Sequence, residues 1–285
     1  MLSGRIALVT GASRGVGKGI ALELAEAGAT VYITGRRPST TNNSQSSIDS
    51  TAKEISEKGG QCIAVYCDHS KPEETKALFQ RISDEQNGQL DILVNNAYSG
   101  IKTITDGVNL PFWEERLEAW DEINDVGLRN YYFCAVYGAR LMVPKRKGLI
   151  VNISSVGGLE YLFTVAYGAG KAAVDRIAID GARELKKHNV AFISLWPGPV
   201  RTETFLESPV GDIGNGFEMT KLLKLAETPS YVGKCIVHLA ADENIMKKTG
   251  KILLTGDVGQ AYGFTESDGR TPFHMRSVKA PTRIC

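Results

Sequence analysis

Seven short runs of aliphatic and β-branched residues punctuate the chain, at 5–10, 30–34, 61–67, 92–95, 149–153, 191–195 and 251–254. Each is apolar almost throughout instead of alternating, as expected of strands covered on both faces. Between them lie longer stretches of helical periodicity. Residues 15–27 place Val16, Ile20, Leu24 and Ala27 at helical spacing, 71–86 place Leu78 and Ile82, and 165–187 place Val174, Ile177, Ala178 and Leu185. Further helices are predicted near 49–58 and over 120–142. This alternation predicts an α/β fold, a doubly wound parallel sheet of about seven strands with helices on both faces. Two segments interrupt the rhythm: 36–50, rich in Pro, Ser, Thr and Asn, predicts a loop, and 203–228 predicts a lid. Neither has the content of a second core. Residues 1–260 therefore read as one domain and 261–285 as a tail without an assigned structure.

Composition narrows the function. Of 285 residues, 42% are hydrophobic and 23% charged, which suits a folded globular chain. Lys plus Arg number 33 against 32 Asp plus Glu, a net of +1, so nucleic acid is not an expected partner. One small phosphate-bearing ligand remains compatible with that balance. Cys62, Cys67, Cys134, Cys235 and Cys285 are odd in number and widely spaced, which predicts reduced thiols and neither a disulfide framework nor a zinc site. His69, His188, His238 and His274 show no metal-ligand spacing. No run of about 18 apolar residues occurs, so no membrane span is expected, and the cytoplasm is the expected location.

The first strand runs into Thr10-Gly11-Ala12-Ser13-Arg14-Gly15-Val16-Gly17. Glycines spaced G-x-x-x-G-x-G between a strand and a helix suit a Rossmann-type dinucleotide site. Gly11 permits a tight turn, Gly15 lets the backbone approach a pyrophosphate, and Gly17 lets helix and strand pack closely. The helix start then directs N–H groups and a positive dipole end at the phosphates. The second strand ends in Thr34-Gly35-Arg36-Arg37, without the carboxylate that holds a ribose 2′-hydroxyl in NAD sites. Arg36 and Arg37, with Arg14, predict NADP(H), because guanidinium groups meet a 2′-phosphate through charge-assisted hydrogen bonds. The alternative is that Arg36 and Arg37 form a solvated loop.

Further along, Asn95-Asn96-Ala97-Tyr98 closes the fourth strand and Ile153-Ser154-Ser155 the fifth. Tyr167 and Lys171, four residues apart on a helix, share one face. A free phenol has a pKa of about 10, and a nearby ammonium favours its phenolate, so the pair suits proton transfer.

The ordered set T-G-x-x-x-G-x-G, N-N-A, Ser and Y-x-x-x-K resembles the short-chain dehydrogenase/reductase family. The resemblance runs from about residue 4 to 259 and includes Pro197-Gly198-Pro199-Val200-Arg201-Thr202 and Thr249-Gly250-Lys251. The NNAY turn, Phe112-Trp113 and the segment 124–144 resemble one subgroup within it. The resemblance implies that Tyr167 is the general acid, that Lys171 holds the nicotinamide ribose and lowers the phenol pKa, and that Asn124 holds a water in a proton relay. Ser155 or Ser154 would bind the substrate oxygen: the strand end favours Ser155, and the count back from Tyr167 favours Ser154. For the cofactor it implies Gly11, Ser13, Arg14, Gly15, Val16 and Gly17 at the phosphates. Asp68 would lie at the adenine, Asn95 on the adenosine side, and Val200 and Thr202 at the nicotinamide carboxamide, with Ala97, Pro197 and Gly198 also lining the cofactor.

Tyr98 departs from the family, which usually has glycine there, and 107–120 lengthens the approach to the next helix. Leu159, Tyr161, Phe163, Phe205, Leu222 and Leu223 suggest an apolar pocket. The expected function is NADPH-linked reduction of a ketone or aldehyde, steroid-like or xenobiotic. An NAD-dependent alcohol dehydrogenase and a non-catalytic cofactor-binding regulator are the alternatives. The resemblance also implies a homodimer or homotetramer formed through 120–142 and 165–187, with Val136, Ala172 and Ile179 on the covered faces. It leaves peripheral association with the endoplasmic reticulum as an alternative location.

Overall fold

The computed structural model describes residues 1–38, 47–108, 110–207 and 226–272. In chain order the elements are β1 (Ile6–Val9), α1 (Gly15–Glu26), β2 (Thr30–Gly35), α2 (Ile48–Glu57), β3 (Gln61–Tyr66), α3 (Pro72–Glu85) and β4 (Ile92–Asn95). There follow α4 (Ile101–Gly107), α5 (Glu118–Asn124), α6 (Asn130–Lys145), β5 (Gly148–Ile153), α7 (Val165–Leu185) and β6 (Val190–Trp196). The chain continues through α8 (Glu203–Glu207), α9 (Pro229–Ala241), β7 (Ile252–Leu254) and α10 (Thr255–Tyr262).

The seven strands form one sheet in the order β3-β2-β1-β4-β5-β6-β7, and every pairing is parallel. Period-two alternation explains their unbroken apolar character. Ala7, Val9, Val31, Ile33, Val94 and Val151 face a core completed by Ile20 and Leu24 of α1 and by Val232 and Ile236 of α9. Ile6, Leu8, Tyr32, Leu93, Ile150 and Phe192 face the opposite core, completed by Leu78 and Ile82 of α3 and Ala178 of α7. Both faces are buried, so neither can be polar.

Local signals fix the helix starts. The Thr164 hydroxyl accepts from Tyr167 N–H at 3.3 Å and caps α7, and Thr228 caps α9 ahead of Pro229. The predicted helix over 120–142 is instead divided. Between α5 and α6, Asp125–Arg129 forms a π-helical turn, a feature that hydrophobic periodicity does not register. Gly127 of that turn lies against the Tyr98 ring, where a Cβ would come within 2.6 Å of Cδ2.

The start of the tail is also structured. α10 runs to Tyr262, whose hydroxyl donates to Asp242 at 2.5 Å. Phe264 packs on Tyr231 and His238, and Glu266 accepts from both the N–H and the hydroxyl of Thr228. Of the predicted lid, 208–225 lie outside the described residues, and with them Leu222 and Leu223. The same holds for 39–46 of the polar loop and 273–285 of the tail. Among the described residues, no helix is long and apolar enough to cross a membrane.

Candidate active site

The sheet order changes direction between β1 and β4, and a crevice opens there at the carboxyl ends of the strands. The glycine turn sits at that point. Gly11 has φ +68°, and a Cβ on it would come within 2.7 Å of Ala97 Cα. Gly15 is also left-handed, at φ +56°, while Gly17 packs on the Gly11 carbonyl and Asn96 Nδ2. The three glycines thus serve a turn, a left-handed backbone and a close packing. Ser13 and Val16 are half-buried along the same turn, and Arg14 is exposed at the start of α1.

Two partners of this turn are not apparent from the motif itself. Asn96 Nδ2 donates to the carbonyls of Thr10 and Gly11 at 2.9 and 3.0 Å, and Thr10 Oγ1 accepts from the N–H groups of Asn96 and Ala97. Gly11 N–H donates to Thr34 Oγ1 at 3.2 Å, and that hydroxyl lies 2.7 Å from His69 Nε2. Burial pushes the His69 imidazole down to about 4, so it is neutral at physiological pH. Adjacent asparagines and a threonine before the glycine were the available signals, but their partners lie on different strands.

Asn95 has a different position from the one expected. Its side chain is fully buried beneath the crevice, where Nδ2 donates to Asn152 Oδ1 at 2.9 Å and to the Tyr131 carbonyl at 3.3 Å. It ties β4 to β5 and α6 and does not line the crevice with its side chain. Asp68 accepts from the N–H and hydroxyl of Ser70 at 3.0 and 2.8 Å. Against the effect of burial, those bonds and the nearby Arg36 and Lys71 hold its carboxyl below its ordinary value.

Arg36 and Arg37 are exposed at the end of β2, and Arg37 lies over the Tyr66 ring at 4.8 Å. With Asp68, Lys71 and Arg81 they line a cleft of about 570 Å³. Across the crevice, Pro197, Gly198 and Thr202 are half-buried and Val200 is buried. Their loop is held by a parallel bridge between Val200 and Glu227, closed by Arg201 N–H to the Glu227 carbonyl and Glu227 N–H to the Pro199 carbonyl, both at 2.9 Å.

At the centre stand Tyr167 and Lys171, both buried, on the first turns of α7. The Ser155 hydroxyl stands near the Tyr167 phenol, whose pKa it lowers, and accepts from Gly157 N–H at 3.1 Å. Ser154 turns the other way, donating to the Lys171 carbonyl at 3.4 Å and bonding the Asp175 carboxylate. Ser155 is therefore the serine beside the phenol. Asn124, at the end of α5, donates to the Ala166 carbonyl at 3.3 Å.

The electrostatics differ from the expected pairing. Burial pushes the Tyr167 phenol up to about 12, with the Ser155 hydrogen bond opposing and Asp175 adding to the rise. Burial likewise brings the Lys171 ammonium down to about 8, with Asp175 opposing. Lys171 Nζ donates to the Ile153 carbonyl at 3.2 Å and lies 5.9 Å from the Tyr167 ring centroid. The expected lowering of the phenol pKa by Lys171 is not realised in this arrangement. Burial is the dominant influence on the phenol.

A family model described as short chain dehydrogenase matches residues 5–209. The chain belongs to the short-chain dehydrogenase/reductase family. Dehydrogenase/reductase SDR family member 1 of Mus musculus is 49% identical over 273 residues, spanning 94% of this chain and 85% of that protein. The Homo sapiens protein of the same name matches to the same extent. These relatives represent the subgroup suggested by NNAY and Phe112-Trp113. A solved short-chain type dehydrogenase/reductase from Mycobacterium marinum superposes with a TM-score of 0.71 at 27% identity, covering 89% of this chain and 94% of that one. As a member of the family the protein is an oxidoreductase that uses a nicotinamide cofactor, NAD or NADP.

The residues present fit such a cofactor. Gly15 N–H already holds an anion, because it donates to the Glu203 carboxylate at 2.9 Å. A pyrophosphate has the same chemistry at the same place. Gly11, Gly15 and Gly17 themselves add no side chain at that end of the crevice.

Proposed function

We propose that the protein is an NADPH-dependent reductase that converts a ketone or aldehyde of apolar character, steroid-like or xenobiotic, to the alcohol. The observation that carries this reading is the buried Tyr167 phenol with the Ser155 hydroxyl near it and Lys171 one helical turn away. A phenol raised to about 12 is protonated at neutral pH, and a proton donor is what carbonyl reduction needs.

When bound, the nicotinamide supplies the hydride that reaches the carbonyl carbon. Tyr167 donates its phenolic proton to the carbonyl oxygen, and Ser155 donates a hydrogen bond to that same oxygen as negative charge develops. Lys171 provides positive charge beside them and holds the nicotinamide ribose. Asn124, fixed against the Ala166 carbonyl, holds the water through which Tyr167 regains its proton.

The cofactor reading rests on charge. Gly11, Ser13, Gly15, Val16 and Gly17 receive the pyrophosphate, and Arg14, Arg36 and Arg37 receive the 2′-phosphate. Asp68 and Ala97 border the adenosine. Pro197, Gly198, Val200 and Thr202 receive the carboxamide. Exposed Leu159 and Tyr161, and half-buried Phe163 and Phe205, supply the apolar pocket. Exposed Ala172 and Ile179 and half-buried Val136 support a homodimer or homotetramer through α6 and α7. The free thiols of Cys62, Cys67, Cys134 and Cys235 suit a reducing, cytoplasmic setting.

The test is Tyr167→Phe. Consumption of NADPH with a panel of carbonyl compounds is expected to fall by at least about 100-fold, while NADPH binding followed by fluorescence changes less than about threefold. Turnover that survives this change overturns the mechanism.

A further inference from the structure

Lys171 is a buried cation with little conventional compensation. Its ammonium donates to the Ile153 carbonyl. The neighbouring carboxylate of Asp175 is engaged elsewhere, accepting from Ser194 Oγ at 2.5 Å and from Trp196 Nε1 at 3.0 Å. Around the ammonium stand three aromatic rings, with centroids 5.2 Å away for Tyr98, 5.9 Å for Tyr131 and 5.9 Å for Tyr167. A ring face attracts a cation through its quadrupole, most strongly where water is excluded.

Tyr98 has the shortest of these distances, and its placement is tightly determined. Its ring meets Tyr167 edge-on, at 6.3 Å and 83°. Gly127 leaves room for the ring and Gly100 for the hydroxyl, where a Cβ would lie 2.9 Å from the oxygen. The hydroxyl is buried with no hydrogen-bond partner, so the ring and not the oxygen accounts for the residue's place.

We infer that Tyr98 is a positioning residue whose ring face, together with that of Tyr131, cages the Lys171 ammonium and keeps it charged beside Tyr167. The titratable groups facing that ammonium are Tyr98 from the turn after β4, Tyr131 from α6, and Tyr167 and Asp175 from α7. The functional meaning rests on Tyr167 and Lys171 being the reacting pair, but the test needs no turnover.

The experiment follows the Lys171 side-chain resonance by NMR in the full ligand-free chain with isotope-labelled lysine, the signal assigned by its loss in Lys171→Met. The native midpoint is expected near pH 8. Tyr98→Leu should lower it by about half a unit to one and a half units, because losing a favourable ring face disfavours the charged form. Tyr98→Phe should restore it to within about 0.3 unit, since the ring face remains. Replacement of Tyr98 by 3,4,5-trifluorophenylalanine keeps the shape while draining the face, so it should lower the midpoint even if Tyr98→Leu does not fold. An unchanged midpoint in the fluorinated protein, or a Tyr98→Phe midpoint as low as that of Tyr98→Leu, overturns the cage. Active Tyr167→Phe protein would instead overturn the catalytic reading and leave the cage standing.

Discussion

The Glu203 carboxylate accepts the backbone N–H of Gly15 at 2.9 Å, bridging 188 residues of sequence and placing a negative group on the turn that opens α1. A dinucleotide pyrophosphate seated on the same N–H must displace it. Glu203→Ala is therefore expected to tighten NADPH binding by about 3- to 10-fold, the partly exposed position limiting the gain. Calorimetric titration checks this. Weaker binding in the variant would mean that Glu203 helps the cofactor instead of competing with it.

The two serines should separate cleanly. The Ser155 hydroxyl stands near the Tyr167 phenol, whereas Ser154 donates to the Lys171 carbonyl. Ser155→Ala is expected to lower kcat/KM by about 100-fold with unchanged thermal stability. Ser154→Ala should cost about 1 kcal/mol of stability and retain most turnover. The reverse pattern would make Ser154 the substrate-binding serine.

On the proposed reading, cofactor choice falls to the end of β2. Removing both guanidinium groups, in Arg36→Ala with Arg37→Ala, is expected to raise the KM for NADPH by about 10- to 100-fold and that for NADH by less than about threefold. Each charge-assisted contact to a 2′-phosphate is lost in one cofactor and absent from the other. Equal losses for both cofactors would assign the pair to the solvated loop.

Glu227 links the loop at 197–202 to pH. Its carboxyl is buried and accepts from Thr255 Oγ1 at 2.7 Å, and burial pushes it up to about 8 against the bonds from Thr255 and Gly198. The unfolded chain ionises this group near pH 4.5, whereas the folded chain keeps its proton to about pH 8. Between those values the folded state binds more protons, so this group's contribution to stability falls as pH rises. Glu227→Gln removes that dependence. Its melting temperature should exceed the native one by an amount that grows from pH 5 to pH 8, equivalent to about 1–3 kcal/mol at the upper end. A pH-independent difference would contradict the assignment.

The strands and most helices were legible because each is a local pattern. Residues 92–95 were bounded as found, and 30–34, 61–67, 149–153 and 191–195 missed their observed ends by a single residue. Apolar runs mark strands covered on both sides, and capping threonines mark helix starts. The break at Asp125–Arg129 was not legible, because the one-residue phase shift of a single π-turn does not stand out in so short a helical pattern. Nor was the packing of Phe264 and Glu266 onto α9, since a short aromatic and acidic stretch carries no period.

The site divides along the same line. Gly11, Gly15, Gly17, Tyr167 and Lys171 could be named from the sequence because their spacings within one turn or helix encode their geometry. The sequence by itself thus determined the fold class, the family resemblance and the spacing of the proposed reacting pair. Only the tertiary structure decided that Ser155 rather than Ser154 meets the phenol, that Asn95 is a strut, that Glu203 sits on the glycine turn, and that Tyr98 faces the Lys171 ammonium. The physical reason is range. Propensity, capping and periodicity act over a few residues along the chain, whereas burial and side-chain contact depend on strands and helices that meet in space.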